Sequence, residues 1–287
     1  MLLKKSSLTP EAYNILFNKA TEIPNTGKHT NNTQIGTYLC RLCGLALFRS
    51  DDKFTSSCGW PSFDAEIDQH IKKALDRDQR RTEILCSRCD GHLGHIFHGE
   101  NYTHKNTRYC VNSLSLDFIA NNTSVQDTQE AIIAAGCFWG VEYIFKNTAG
   151  VLLTDVGYTG DPRYSHPDYN LICSGKTQHV EALRVIYEPS MISYEKIIKL
   201  FFEIHDFTQT NGQGPDIGRQ YLSKIFYYNT QQYNTAQQVI NLLKSKNYKV
   251  ATDLQSVQVF WPAEDYHQDY YFKNKKQPYC HQRRVIF

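Results

Sequence analysis

The residues with the clearest chemical potential are the cysteines. The chain has nine, and four of them form two Cys-x-x-Cys pairs, Cys40/Cys43 and Cys86/Cys89. The other five are single thiols: Cys58, Cys110, Cys137, Cys173 and Cys280. A reducing compartment disfavours structural disulfides, so a thiol content of this kind favours metal binding or redox chemistry.

The two paired motifs have the spacing of metal-binding knuckles. Each pair can offer two thiolates to a tetrahedral ion, and the glycines that follow, Gly44 and Gly91, permit tight turns. Four sulfur ligands leave no open coordination position, so the sequence predicts one structural zinc ion. The alternative is that each pair is a thioredoxin-like redox pair or a set of ordinary buried cysteines. Two pairs that are both followed closely by glycine favour zinc.

Cys110 has neighbours that can support a reactive thiolate. It lies in R-Y-C-V-N-S between Arg108 and Asn112, and H-L-G-H supplies His92 and His95. A nearby guanidinium or imidazolium favours the ionised form of a thiol, so we expect a lowered pKa for Cys110. Each histidine taken alone is more often structural, and Arg108 and Asn112 could be structural as well.

Cys137 lies between a predicted strand and a predicted helix, in the segment G-C-F-W-G. A cysteine at a helix N-terminus faces unpaired amide groups and the positive end of the helix dipole, which stabilise its thiolate. The sequence therefore predicts Cys137 as a second nucleophile. The alternative, a small buried residue at a turn, fits poorly with a cysteine that has two aromatic residues and two glycines around it.

The first half resembles the B-type peptide methionine sulfoxide reductases, from Leu8 to Phe118. The shared motifs are C-G-W-P-S-F, H-L-G-H and R-Y-C-V-N-S, in the family's order, together with the four-cysteine zinc site. The resemblance implies that Cys110 is the nucleophile and that Cys58 is the resolving thiol. It also implies selectivity for the R epimer at sulfur. Trp60 would form an apolar wall for the sulfoxide methyl group.

Sulfoxide reduction gives the remaining polar groups of this half a chemical role. As the sulfur–oxygen bond breaks, the oxygen gains negative charge, which a protonated histidine can neutralise. We expect His95 to donate this proton, with His92 beside it and Asn112 as a hydrogen-bond donor.

The second half resembles the A-type peptide methionine sulfoxide reductases, a family of unrelated fold, from Ala131 to Cys280. G-C-F-W-G is its hallmark, and H-P-D-Y, C-S-G, H-V-E-A, Q-G-P-D-I-G, Q-Y and A-E-D-Y-H-Q also match. The resemblance implies that Cys137 attacks the sulfur and that Glu181 supplies a proton to the oxygen. Other residues would hold that oxygen, support the site or form the methyl pocket: Tyr169, Tyr221, Asp216, Phe138 and Trp139.

The proposed role of Glu181 depends on its protonation state. Glu181 can donate a proton near neutral pH only if burial keeps it protonated, so we expect an apolar environment. A surface glutamate is the alternative.

Many relatives have two cysteines in a glycine-rich tail, whereas here only Cys280 remains, so it is expected to resolve Cys137 directly. An inert surface thiol is the alternative for Cys280, and Cys173 is expected to be a bystander.

The elements that must position these residues are predicted to form two domains. The first, 1–120, begins with a short helix over 11–19 and continues as a mainly-β, zinc-bearing domain; 121–129 is polar and aperiodic, as in a linker. The second, 130–287, is predicted as an α+β (α/β sandwich) domain. Its expected helices are 138–146, 194–205 and 230–246, and its expected strands are 131–135, 179–187, 220–228 and 256–261.

The bulk composition narrows the classes of function. With 41% hydrophobic and 21% charged residues among 287, and no apolar run of about 20 residues, the chain has the composition of a soluble globular protein. The formal charge is +2, with basic residues spread along the chain, which argues against nucleic-acid or membrane partners. The N-terminal residues contain no apolar signal-peptide core, so a cytoplasmic location is expected.

The combined resemblance implies repair of oxidised proteins under oxidative stress. Both epimers of methionine sulfoxide would be reduced through cysteine sulfenic acid and intramolecular disulfide intermediates, without an organic cofactor and with thioredoxin as reductant. Oxidised proteins or peptides would be the substrates. Two other functions stay open at this point: a zinc-ribbon binding module joined to an unrelated thiol sensor, and a general disulfide oxidoreductase.

Overall fold

The protein is described by a computed structural model over residues 8–76, 79–278 and 281–287. The chain divides into two compact units, Leu8–Thr128 and Gln129–Phe287. Cys280, the expected resolving thiol of the second half, lies outside the described residues. Within these residues, none of the helices has the length and apolarity that a bilayer crossing requires.

The first unit begins with a short helix, α1, at Pro10–Asn18. The Thr9 hydroxyl accepts a hydrogen bond from the Ala12 amide, and proline occupies the first turn, where a missing N–H costs nothing. The helix ends at Lys19, which adopts a left-handed conformation with φ 59°. Ala12 and Leu16 pack into the core of the unit, and the predicted helix is confirmed.

Short antiparallel strands make up most of the rest of this unit. They are β1 Gly36–Cys40, β2 Ala46–Arg49, β3 Lys53–Phe54, β4 Ser62–Phe63, β5 Ile71–Leu75, β6 Thr82–Cys86, β7 His92–His98, β8 Thr107–Val111 and β9 Leu116–Ala120. One sheet has the order β2-β1-β9, and the other has the order β3-β4-β8-β7-β6-β5. The unit is mainly β, as the sequence predicts.

The register of the second of these sheets brings the predicted active-site residues together. Cys110 on β8 is paired with Ser62 on β4 and with His95 on β7. Directly opposed residues of antiparallel strands point to the same face of a sheet. At Gly94, φ is +152°, and an added Cβ would lie 2.0 Å from the Cys110 carbonyl oxygen. The glycine of H-L-G-H therefore allows β7 and β8 to approach each other beside Cys110.

The segment 121–128, which lies in the predicted linker, is part of the first unit. The Thr37 hydroxyl donates a hydrogen bond to the Asn122 carbonyl at 2.7 Å, and Arg49 donates to the Val125 carbonyl at 3.0 Å. Val125 itself is fully buried. This polar stretch is therefore ordered along the sheet that contains β1 and β2.

The second unit alternates strands with helices. Its elements are β10 Gln129–Ala135, α2 Phe138–Lys146, β11 Val151–Thr159, α3 Tyr169–Cys173, β12 Val180–Tyr187, α4 Tyr194–Glu203, β13 Gly212–Gln213, β14 Asp216–Ile217, β15 Ser223–Tyr227, α5 Thr230–Ser245, β16 Asp253–Ser256, β17 Trp261–Pro262 and α6 Tyr270–Asn274. The main sheet has the order β16-β15-β10-β12-β11-β17. Its described pairs are antiparallel apart from β15 with β16.

The three helices predicted for this unit are confirmed, with small differences at their C-terminal ends. Polar side chains cap two of them: Ser193 accepts a hydrogen bond from an amide at the start of α4, and Asn229 does the same for α5. Their apolar faces cover the sheet, with Ile197, Phe201 and Val239 buried in the main core. The short helix α3 and the strand β11 were not among the predicted elements.

The predicted strand over 256–261 is wrong. β16 ends at Ser256 at one edge of the sheet, whereas Trp261 pairs with Tyr158 of β11 at the opposite edge. The apolar residues between them, Val257 and Phe260, pack over a face of the sheet with Phe226. Their β-rich composition therefore reflects burial against the sheet rather than pairing within it.

Candidate active sites

The first candidate site contains the predicted thiol pair. Cys110 lies on β8 and Cys58 lies in the turn before β4, so the pairing of β4 with β8 brings the two cysteines together. Their sulfur atoms are 3.8 Å apart. A disulfide has a sulfur–sulfur bond of about 2 Å, so the bond can form here with only a small local movement.

This thiol pair holds one negative charge, and it lies on Cys58. The pKa of Cys58 is lowered to about 4, chiefly by the hydrogen bond from Cys110, with further donors at Ser56 and Ser62. The pKa of Cys110 is raised because the Cys58 thiolate lies beside it and because it is buried; Arg108 lowers it, but by less. The lowered pKa expected for Cys110 is therefore wrong for the reduced pair, since the neighbouring thiolate outweighs the guanidinium.

Cys110, rather than Cys58, faces a pocket. The pocket has a volume of about 110 Å³, several times the ~30 Å³ that one water molecule occupies in the liquid. It is lined by Thr21, Trp60, Arg81, Gly94, His95, Phe97, Cys110, Val111 and Asn112. The Trp60 ring is fixed there by a hydrogen bond from Nε1 to the Glu22 carbonyl at 3.1 Å. A ligand in this pocket would meet Cys110 first.

The two histidines of H-L-G-H occupy different environments. His95 lines the pocket, and its Nε2 lies 2.9 Å from Oδ2 of Asp76, which fixes the ring. His92 is 2% exposed, with Nδ1 2.6 Å from Oε1 of Glu83, and burial lowers its pKa. The two rings are 5.7 Å apart between centroids, edge to face. His92 is thus placed to support His95 rather than to contact a ligand.

Arg108 and Asn112 are held by protein partners. Arg108 donates to both carboxylate oxygens of Glu100, from Nε at 2.7 Å and from Nη2 at 2.9 Å. Asn112 lines the pocket, but its Nδ2 donates to the Leu93 carbonyl at 3.1 Å and its Oδ1 accepts from the Glu22 amide at 3.0 Å. One amide hydrogen of Asn112 is thus committed to the fold, and its side chain connects the loop at Glu22 to β7.

The four paired cysteines form a single cluster. The sulfur atoms of Cys40, Cys43, Cys86 and Cys89 all lie within 4.8 Å of one another. The closest contacts join different knuckles: Cys40 to Cys89 at 3.6 Å and Cys43 to Cys86 at 3.5 Å. Zinc–sulfur bonds of about 2.3 Å in a tetrahedron place the sulfurs roughly 3.8 Å apart, so this donor set fits zinc.

Both knuckles are built by the same backbone pattern. The Cys40 amide donates to the Leu45 carbonyl at 2.8 Å, and the Cys86 amide donates to the Gly91 carbonyl at 3.0 Å. In the first knuckle the left-handed position is Gly44, with φ 76°. In the second it is Asp90, with φ 58°, and not Gly91. Aspartate tolerates this conformation better than most residues, so the expected role of Gly91 in the turn is corrected.

The second candidate site begins where β10 ends and α2 starts. Cys137 is the N-cap residue of α2 and follows Gly136, which has φ 90°. Glu181 on β12 accepts a hydrogen bond from the Phe138 amide at 3.1 Å and is 2% exposed. The pKa of Glu181 is raised well above its usual range, chiefly by burial and then by the negative charge of Cys137. A protonated Glu181 near neutral pH is the state that a proton donor requires.

The two predicted oxygen-binding residues, Tyr169 and Tyr221, both have raised pKa values. Burial raises the pKa of Tyr221, and the negative charges of Glu181 and Asp216 raise it further. Burial also raises the pKa of Tyr169, and nearby Cys173 contributes. Both phenols therefore keep their protons and can donate hydrogen bonds. The structure brings both tyrosines and Asp216 into one neighbourhood with Glu181.

The two aromatic residues after Cys137 have separate positions. Phe138 is 1% exposed and belongs to the main core of the unit. Trp139 is partly exposed and stacks on Tyr270 of α6, with ring centroids 3.7 Å apart. Its Nε1 donates a hydrogen bond to Nδ1 of His267 at 3.0 Å. The Trp139 ring is therefore fixed on both its face and its edge.

The end of the chain is anchored beside Cys137. His281 is buried, and its Nε2 lies 2.8 Å from the Ala135 carbonyl oxygen at the end of β10. An added Cβ on Gly140 would lie 2.4 Å from Nδ1 of His281, so this glycine provides room for the ring. The Arg284 amide donates to the Glu203 carbonyl at 2.7 Å.

Known protein families match both units. Residues 129–286, more than half of the chain, match the family described as peptide methionine sulfoxide reductase. The chain belongs to the peptide methionine sulfoxide reductase family. Residues 8–120 match the SelR domain. The reductase therefore has a B-type domain followed by an A-type domain, and the predicted family is confirmed. Domains of these two types reduce methionine sulfoxide in proteins, the B-type acting on the R epimer and the A-type on the S epimer.

Individual relatives agree with this assignment. The reductase is 41% identical to peptide methionine sulfoxide reductase MsrA of Acinetobacter baumannii (strain AYE), over 53% of this chain and 87% of the relative. It is also 41% identical to MsrA of Sulfolobus acidocaldarius, over 52% and 85% of the two chains. Among solved structures, reduced Mxr1 from Saccharomyces cerevisiae has a TM-score of 0.53 and 30% identity, covering 58% of this chain and 97% of Mxr1.

Three carboxylates that hold site residues in place were not predicted from the sequence. In the B-type domain these are Glu83 and Asp76, the carboxylates beside the two histidines. In the A-type domain, Glu264 accepts hydrogen bonds from the Tyr158 hydroxyl at 2.9 Å and the Tyr169 amide at 2.8 Å. Glu264 lies in the motif A-E-D-Y-H-Q, so the match to the A-type family could have indicated it. Nothing in the local sequence marks Glu83 or Asp76.

The shared charge of the thiol pair leads to a prediction for Cys58→Ser. The variant removes the thiolate that contributes most to the raised pKa of Cys110, so the pKa of Cys110 falls. The rate of Cys110 alkylation, followed by mass spectrometry as a function of pH, should show its midpoint at lower pH than in the reduced wild type. An unchanged or higher midpoint would show that Cys58 does not carry the charge.

Proposed function

We propose that Cys110 and Cys137 are the two nucleophiles of this reductase, one in each domain. At each site the thiolate attacks the sulfoxide sulfur, the oxygen is transferred to the cysteine as a sulfenic acid, and methionine is released. A second cysteine then attacks the sulfenic sulfur, so that a disulfide forms and water leaves. The strongest support is the 3.8 Å contact between Cys58 and Cys110 beside the pocket.

In the B-type domain, assigned to residues 1–120, Cys58 resolves the Cys110 sulfenic acid. His95 protonates the departing oxygen, because it lines the pocket and lies opposite Cys110. His92 orients His95, and Trp60 provides the apolar wall for the methyl group. The attacking Cys110 thiolate forms when the proton of the pair passes from Cys110 to Cys58, and Arg108 favours this charge on Cys110. Asn112 shapes the pocket, since its amide holds the surrounding backbone.

In the A-type domain, assigned to residues 130–287, Glu181 is the proton donor. Its burial and raised pKa support this role. The phenols of Tyr169 and Tyr221 donate hydrogen bonds to the sulfoxide oxygen, and Asp216 helps to keep Glu181 protonated. Trp139 and Phe138 provide the apolar surface for the methyl group, Trp139 from the open side and Phe138 from the core.

Cys280 is proposed as the resolving thiol for Cys137. The support comes from its neighbour in the chain, His281, which is bound to the Ala135 carbonyl, close in sequence to Cys137.

Thioredoxin is the proposed reductant for the disulfides of both domains, and oxidised proteins or peptides in the cytoplasm are the proposed substrates.

The cysteine cluster is proposed to hold one structural zinc ion. Cys40, Cys43, Cys86 and Cys89 would be its ligands, and their sulfur–sulfur distances suit tetrahedral coordination. Bound zinc would supply folding free energy rather than chemistry, because the four thiolates leave no position for substrate.

Separate nucleophiles predict separable activities. Cys110→Ser should lose at least about a thousandfold of the activity on the R epimer and keep the activity on the S epimer, while Cys137→Ser should do the reverse. The measurement is methionine formation from each resolved epimer with dithiothreitol as reductant. Cys173→Ser is the matched control and should keep both activities. Equal loss of both activities in either nucleophile variant contradicts the proposal.

Metal content tests the proposed zinc site. The purified chain should contain about one zinc ion, and Cys86→Ser should lose most of it and unfold at lower temperature, because metal binding stabilises the folded unit. Elemental analysis and thermal unfolding measure the two effects. Cys58→Ser, a cysteine variant in the same unit, should keep its zinc. A metal-free wild-type chain with full activity on the R epimer would disprove the assignment.

Anchoring of the chain end predicts an effect of Gly140→Ala. The added methyl group displaces His281, so formation of the Cys137–Cys280 disulfide should slow by about tenfold while the first release of methionine is unchanged. His281→Ala should have the same effect without altering α2. Rapid quenching and mass spectrometry measure both steps. Wild-type disulfide rates in both variants would exclude this role of the anchor.

A further inference from the structure

Two serines surround the sulfur of Cys58. The Ser56 hydroxyl oxygen is 3.0 Å from Cys58 Sγ, and the Ser62 hydroxyl oxygen is 3.5 Å from it. The two hydroxyl oxygens are 2.8 Å from each other. The proposed function gives a role to neither serine, although both lie closer to the Cys58 sulfur than Cys110 does.

A thiolate at Cys58 defines the direction of its closest hydrogen bond. Each serine has a single hydroxyl proton to donate. A Cys58 thiolate can only accept, so Ser56 is the donor in their 3.0 Å contact; the Ser62 proton has two acceptors in reach, Ser56 at 2.8 Å and the Trp60 carbonyl at 3.3 Å. A donor that is itself hydrogen-bonded is strengthened by polarisation. Ser56 is therefore the direct donor to the Cys58 sulfur, and Ser62 supports it.

We propose that Ser56 is a positioning residue that keeps Cys58 as a thiolate for the step that resolves the Cys110 sulfenic acid. This inference rests on the proposed roles of Cys58 and Cys110. In the reduced pair the Cys110 thiol is the main donor to Cys58, and it supports the lowered pKa. Once Cys110 has accepted the oxygen as a sulfenic acid, it no longer offers a thiol proton to Cys58, and Cys58 must give up the proton it took from Cys110 before it can attack. Ser56 and Ser62 then remain as the hydroxyl donors in contact with the Cys58 sulfur.

The resolving step needs the thiolate for its electron balance. A lone pair of the Cys58 thiolate attacks the Cys110 sulfenic sulfur, so that the sulfur–sulfur bond forms and the sulfur–oxygen bond breaks. Cys58 is oxidised, the sulfenic sulfur is reduced, and hydroxide leaves and takes up a proton to become water. The serine hydroxyls donate hydrogen bonds throughout and lose no proton.

Other charged groups face Cys58 and must be considered in any pH measurement. Cys110 is the nearest titratable group, and the charge of Arg108 interacts with both cysteines. Arg108 is paired with Glu100, and this pair is retained in variants at position 56. A pH shift specific to Ser56 variants therefore reports the lost hydroxyl and not a change in these charges.

The test uses Ser56→Ala in the full chain, with the R epimer in a single turnover. Methionine release should keep its wild-type rate. Disulfide formation should slow by about tenfold on the acid side of its pH profile, with the profile moved up by about one pH unit and recovery at high pH. Dimedone should trap more Cys110 sulfenic acid than in the wild type. Ser56→Thr retains the hydroxyl and should restore the wild-type profile.

The possible outcomes separate this inference from the proposed function. A Ser56→Ala profile identical to the wild type overturns the role of Ser56, and so does a pH-independent loss that Ser56→Thr does not rescue. If the wild type itself forms no Cys58–Cys110 disulfide with the R epimer, the proposed function of the B-type site fails instead. Ser124→Ala removes an exposed hydroxyl in the same unit and should leave the disulfide rate and the thermal unfolding midpoint unchanged.

Discussion

The contact between the sulfur atoms of Cys58 and Cys110 is the constraint on which the first site depends. Antiparallel pairing of β4 with β8 fixes it at 3.8 Å, and a shift of register by one residue would turn Cys110 to the other face of the sheet. At this distance the negative charge of the Cys58 thiolate raises the pKa of Cys110, so ionisation of one thiol disfavours ionisation of the other. The pocket, the histidines and the serines are all arranged around a pair with a single charge.

The second site supports its cysteine in a different way. Cys137 is the N-cap residue of α2 and lies near the buried Glu181. A negative charge on Cys137 raises the pKa of Glu181. Burial, and then the charge of Cys137, keeps the proton on the glutamic acid. In one domain the cysteine lies beside a second thiol, and in the other it lies beside a buried carboxylic acid. Two unrelated folds thus meet the same chemical need.

The sequence allowed the helices, the motifs and the cysteine cluster to be predicted, because each has a local signal such as a cap, a period or a spacing. The predictions that were wrong or missing concern features that depend on contacts between distant parts of the chain. Val257 and Phe260 looked like strand residues because burial over a sheet face selects the same residue types as pairing does. The pKa of Cys110 was misjudged because the ionisation of Cys58, not Arg108, dominates it. Asp76 could not be found because only the fold brings it to His95.

The position of the cysteine cluster affects how the first unit withstands oxidising conditions. Cys40 ends a strand of one sheet of the first unit, and Cys86 ends a strand of the other, so the proposed zinc ion would join the two sheets through the cluster. Its sulfurs must stay reduced to do so, and Cys43 is partly accessible to solvent. A strong oxidant would therefore loosen the very unit that reverses oxidation at methionine, whereas the described part of the second unit contains no such fastening.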